Sequence, residues 1–160
     1  MHRFIIFICL VFILSACAST KAPFKTPQAS GYYGDEPIQC VHYARKVSGF
    51  PIYGDAYTWW YQTPAEKRSS VPQKGAVLVL SKTKKLTRGH LAVVKDIISP
   101  RRILVTHSNW GYDHDTRRII YETMLVEDIS AINNWSRLRF WNKEINSFGL
   151  PYEAYGFIYK

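Results

Sequence analysis

The 160 residues carry 21 Lys and Arg against 12 Asp and Glu, a formal net charge of +9. Such a surface attracts anionic polymers and lipid headgroups without choosing among them. No helix-turn-helix, zinc-finger or stacking-sheet signature accompanies the charge, so nucleic acid is not an expected partner.

The chain opens with His2 and Arg3, then an apolar run of eleven residues, FIIFICLVFIL, then Ser15-Ala16-Cys17. A membrane-spanning helix needs about 20 apolar residues, so this short run with a positive flank reads as a signal peptide. Leu14-Ser15-Ala16-Cys17 resembles the bacterial lipoprotein processing motif. The resemblance implies cleavage before Cys17, lipid on Cys17, and a membrane anchor through that lipid. Ala18 in place of Asp implies sorting to the outer membrane, facing the periplasm. Removing residues 1–16 from the 160 leaves 144, enough for one domain, and takes Arg3 away, so the charge falls to +8. Cys9 leaves with the signal and Cys17 is committed to lipid. Cys40 then has no intrachain disulfide partner in an oxidising compartment, which leaves it a buried inert thiol or a reactive one.

Residues 17–30 are rich in Ser, Thr, Pro and Ala, show no apolar period, and read as a lipidated N-terminus and tether. The domain proper is expected over 31–160. Around Asp35-Glu36-Pro37 the chain looks like a helix start, with a helix running from about 37 to 48 until Gly49 and Pro51 stop it. Cys40, Ala44 and Val47 are expected on one face of it. A second, shorter helical piece is expected at 55–62, DAYTWWYQ, ended by Pro64. Strand signals follow: Ala76–Leu80, then GHLAVVKDI, then RILVTHSNW after a Ser99-Pro100-Arg101 turn. In the last third, RRIIYETML reads as a sheet extension, VEDISAINNW as a helical turn or loop, and YGFIYK as a last strand. Helix first and antiparallel strands afterwards give an α+β class in one domain.

Thiol chemistry needs an imidazole to take and return a proton and a third polar group to fix the ring; a helix start favours the thiolate. His90 opens a hydrophobic strand and Asn109 ends the neighbouring one, so Cys40, His90 and Asn109 form a coherent set. His42 lies two residues from Cys40, and helix positions two apart do not face each other. A zinc site of Cys40, His90 and His107 lacks any C-x-x-C or H-E-x-x-H pattern, so neither metal nor cofactor is expected. Tyr32, Tyr33 and Trp110 are candidates for the wall of a substrate groove.

Four stretches in order, Gln39-Cys40-Val41-His42-Tyr43-Ala44-Arg45, Pro72-x-x-Gly75-Ala76-Val77, Gly89-His90-Leu91-Ala92-Val93-Val94 and His107-Ser108-Asn109-Trp110, resemble the CHAP domain. The resemblance runs over about residues 31 to 158. It implies a papain-like fold with N-terminal helices packed on a central antiparallel β-sheet, and a cysteine amidase or peptidase that cuts peptidoglycan. Cys40 corresponds to the family nucleophile and His90 to its base. The family often reads Glu-x-Asn where this chain reads His107-x-Asn109, which makes Asn109 the expected orienting residue and His107 an additional site candidate. The cut bond is that of an N-acetylmuramoyl-L-alanine amidase or of a stem or cross-bridge endopeptidase. The competing reading is a non-catalytic envelope lipoprotein that binds cell wall or a partner protein. Hydrolysis of a small thiol–polyamine amide suits related folds but not the envelope address.

Overall fold

The computed structural model describes residues 30–160. The expected signal peptide, the expected lipid site at Cys17 and the expected tether, save Ser30, lie outside the described residues. In chain order the elements are β1 (Ser30–Tyr33), α1 (Cys40–Ser48), α2 (Thr58–Gln62), β2 (Arg68–Ser69), β3 (Val77–Leu80) and β4 (His90–Ser99). There follow β5 (Arg102–Ser108), α3 (His114–Arg117), β6 (Ile119–Asp128), β7 (Arg137–Asn142) and β8 (Ser147–Ile158).

Strand β3 pairs antiparallel with β4, β4 with β5, β5 with β6, β6 with β7, and β7 with β8. β8 then returns to β3, with Leu78 opposite Phe157 and Val77 opposite Ile158. The ring is closed: a six-stranded β-barrel with three short α-helices. This corrects the expected papain-like α+β arrangement of N-terminal helices on a central antiparallel sheet. Closure depends on β8, whose twelve residues are long enough to hold β7 with the first half and β3 with the second. Register shifts between Arg139 and Trp141 on β7 and between Val79 and Leu80 on β3 bend the ladder where it turns the corner. At the β5–β6–β7 junction, Glu127 accepts from Arg102 through Oε1 and from Arg139 through Oε2, both as close as 2.7 Å. These two ion pairs lie across paired residues and pin the register of three strands. β1 and β2 are short additions, β1 on the N-terminal half of β6 and β2 on the end of β8.

Alternation along the strands sorts two cores. Leu78, Leu80, Ala92, Val94, Ile103 and Val105 fill the barrel with Val126, Leu138 and Phe157. Val77, Val79, Leu91 and Val93 point outward and are buried instead by Cys40 and Ala44 of α1, with Phe50 and Trp59. Strands buried on both faces read as continuous apolar runs, which is why this part of the sequence carries so strong a strand signal.

Helix α1 begins three residues later than expected. Pro37 precedes it, and Gln39 stands at the N-cap position without a side-chain cap. Gly49, at φ 70°, ends it, donating its N–H to Arg45 O at 2.8 Å. Cys40 and Ala44 face the barrel, whereas Val47 is exposed. The Tyr43 hydroxyl meets Thr106 Oγ1 at 2.7 Å, and Thr106 Oγ1 donates to Tyr121 O at 2.7 Å. This chain ties the helix to β5 and β6.

Candidate active site

Because interior residues alternate, His90 falls on the same barrel face as Ala92 and Val94, and His107 on the same face as Val105 and Ile103. Both imidazoles therefore close one end of the barrel. His90 Nε2 lies 2.9 Å from His107 Nδ1, and His107 Nε2 lies 3.3 Å from Met124 Sδ. Both rings are buried, His107 completely. Tyr121 and Phe140 stack on His107, with centroids at 5.2 and 5.4 Å, and Trp110 covers His90 at 4.6 Å.

Cys40 is the first residue of α1 and is a free thiol, 8% exposed. Burial pushes its pKa up; backbone hydrogen bonds from Leu91, Val41 and Cys40 itself oppose that rise. The Leu91 nitrogen is bonded to the His90 carbonyl carbon, so this contact sets the thiol beside the start of β4. Burial pulls His90 down to about 3. His107 is held well below the ordinary histidine value by burial and then by the neighbouring His90. The free protein thus holds a neutral thiol and two neutral imidazoles.

One tautomer satisfies this arrangement best. If His107 carries its proton on Nε2, toward the weak acceptor Met124 Sδ, its Nδ1 accepts from His90 Nε2–H. His90 Nδ1 is then an unprotonated base. The opposite assignment leaves two lone-pair atoms, His107 Nε2 and Met124 Sδ, facing each other.

Cys40 and His90 line one cleft of about 1160 Å³. The cleft is lined by residues of α1, the loop at 53–56, the turn at 85–89, β1, the loop at 109–117 and the β7–β8 turn. Asn109 does not contact His90 through a hydrogen bond. Its backbone is left-handed, at φ 56°, and its Nδ2 donates to Gln39 Oε1 at 2.9 Å. Among the described residues, the side-chain hydrogen-bond partner of His90 is His107. Tyr33 and Trp110 line the cleft, while Tyr32, on the same strand as Tyr33, does not. Trp110 is also packed against Phe140 and Tyr152, so it is a lid on the histidine pair as much as a wall. His42 is exposed at the cleft margin. Gln39 was visible in the sequence motif, but nothing in the spacing marked its amide as part of the site. Among the described residues, no group of three or more His, Cys, Asp and Glu is placed to hold a metal ion.

A thiol at a helix start and an imidazole in the same cleft, the latter backed by a second histidine, are side chains that a thiol-dependent hydrolase can use. The CHAP domain family matches residues 30–109, half of the chain, and the protein belongs to that family. Membership supports a role related to peptidoglycan hydrolysis and a hydrolase-like enzymatic potential. The matched stretch ends at Asn109, before the strands β6, β7 and β8 that close the barrel. No curated protein and no solved structure matches the chain.

Proposed function

We propose that the protein is a peptidoglycan hydrolase that cleaves an amide bond through Cys40, anchored by lipid on Cys17 to the outer membrane and facing the periplasm. The bond is either the N-acetylmuramoyl-L-alanine linkage or a peptide bond of the stem or cross-bridge. The observation that carries the reading is the 2.9 Å contact between His90 and His107, which holds a neutral base in the cleft that contains the thiol.

In this reading the Cys40 proton passes to His90 Nδ1 as sulfur attacks the amide carbonyl, and the carbonyl π electrons move to oxygen. The Cys40 backbone N–H and the Gln39 side-chain amide hydrogen-bond the oxyanion. Asn109 occupies Gln39 Oε1, so the Nε2 donor of Gln39 is left for substrate. The intermediate collapses, the C–N bond breaks, and His90 returns its proton to the amine. Water then attacks the thioester with His90 as base, releasing the carboxylic acid and the thiol. His107 stabilises the imidazolium through a lone pair rather than a full charge, so it works by geometry more than by electrostatics.

The envelope address rests on Leu14-Ser15-Ala16-Cys17. Burial of the thiol favours the competing reading, a non-catalytic lipoprotein that binds the wall. Incubation of the purified protein and Cys40→Ala with purified peptidoglycan, followed by mass spectrometry of the muropeptides, separates the two. New amine and carboxyl termini that require the thiol are expected. Identical muropeptide profiles for both proteins would leave only wall binding.

A further inference from the structure

The walls of the cleft carry an excess of positive charge: Arg45, Lys85, Arg88, Arg117 and Lys143 against Asp55 and Glu144. Asp55 is already met by Arg88, at 3.8 Å. Among the described residues Arg45 has no carboxylate within ion-pair distance. It is half-buried, and its guanidinium lies over the Tyr53 ring, 4.4 Å from the centroid. An arginine held over an aromatic face, with no side-chain hydrogen bond among the described residues, keeps its N–H donors for an anion and loses little further entropy when one arrives. Tyr53 itself is 69% exposed, so it contributes to this cradle rather than to a core.

Arg45 stands five residues after Cys40 on α1, about 7.5 Å further along the axis and about 140° around it. Both side chains line the same cleft, so a carboxylate gripped by Arg45 belongs to a part of the ligand away from the carbonyl that Cys40 attacks. A guanidinium presents paired donors to a carboxylate, whereas a carboxamide offers one acceptor and no charge.

We propose that Arg45, held on Tyr53, is a carboxylate reader that makes the cleft selective for acidic peptides over their amidated counterparts. This rests on the hydrolase reading for the position of the cut bond, but not for the binding itself.

The test uses the full chain as Cys40→Ala, which has no side-chain nucleophile to acylate, and two synthetic N-acylated tripeptides. One has a glutamate side-chain carboxylate at its second residue and the other has glutamine there, both with amidated C-termini. Calorimetry should find the acid bound about tenfold more tightly, a ratio within the range of a charge-assisted pair. Arg45→Met keeps the stem on Tyr53 and should bring the ratio close to one. Lys46→Met removes one charge from the same helix but outside the cleft, and should leave the ratio unchanged. Equal binding of the twins, binding of neither, or an equal fall in Arg45→Met and Lys46→Met would each overturn the proposal. Since no outcome depends on turnover, failure of peptidoglycan cleavage by the Cys40-intact protein is read separately and tests only the hydrolase reading.

Discussion

His90 Nε2 and His107 Nδ1 are 2.9 Å apart inside a shell of Tyr121, Phe140 and Trp110. One ring holds the other, and the holder is itself packed like a core aromatic. That separates the two contributions of His107, which His107→Phe isolates. The phenyl ring keeps the stacking and removes the hydrogen bond. Peptidoglycan turnover should fall about 100-fold or more through loss of the correct His90 tautomer. Nitrogen-15 spectra should show His90 distributed over both tautomers. An unchanged rate, with the protein folded, would remove His107 from the machinery.

Reactivity of the thiol should follow its burial. The Cys40 pKa is raised, and His90 stays neutral down to about 3, so no imidazolium is available to stabilise a resting thiolate. Iodoacetamide labelling of Cys40, followed by mass spectrometry between about pH 6 and pH 10, should rise across the whole range. A plateau reached near neutrality would mean a thiolate–imidazolium pair and contradict the neutral resting state.

The same two histidines make the fold acid-sensitive. Unfolded, each takes up a proton near 6.5; folded, His90 refuses it down to about 3 and His107 is depressed as well. The unfolded chain therefore binds more protons, so stability is full above pH 6.5 and is lost as pH falls toward 3. For His90 the full window is worth on the order of 5 kcal/mol. Urea midpoints measured at intervals from pH 7 to about pH 4 should fall steadily, and less steeply in His107→Phe. Parallel curves for the two proteins would show that His107 does not contribute.

Some of this was legible in the sequence and some was not, for physical reasons. The strands β3, β4 and β5 announced themselves because both faces are buried, and Gly49 marked the end of α1. Barrel closure was hidden in residues 137–158. Gly149 and Pro151 interrupt the β8 pattern, yet Pro151 sits opposite Arg139 in the ladder. The choice between His107 and Asn109 as the partner of His90 was equally hidden, since the two lie two residues apart. In an uninterrupted strand both would face the same way. The left-handed backbone at Asn109 turns its side chain aside to Gln39, and no spacing rule predicts that for a residue other than glycine.

Gly89 sets the position of His90. It sits at φ 67°, and a Cβ there would lie 2.7 Å from Leu80 O and 2.9 Å from Tyr57 N. Both neighbours are backbone and cannot yield by a rotamer change. Gly89→Ala should cost about 2–3 kcal/mol and lower Tm by about 10 °C. Activity should fall further than stability, because the residue displaced next in the chain is His90. Calorimetry beside turnover at a temperature where the variant is fully folded checks both; wild-type turnover there would mean that the turn does not place the base.

Asn109 offers the cleanest way to test what holds Gln39. Since its φ of 56° suits glycine, Asn109→Gly removes the side chain while relieving backbone strain, and stability should change by less than about 1 kcal/mol. Gln39 Oε1 loses its donor at 2.9 Å, and the amide becomes free to rotate. If Gln39 stabilises the oxyanion, kcat should fall about tenfold with little change in KM, and Gln39→Ala should lose no more when Asn109→Gly is added. The His90 tautomer seen by nitrogen-15 spectra should stay as in the parent protein. A redistribution of that tautomer in Asn109→Gly would instead place Asn109 on the base, the role that its spacing from His90 first suggested.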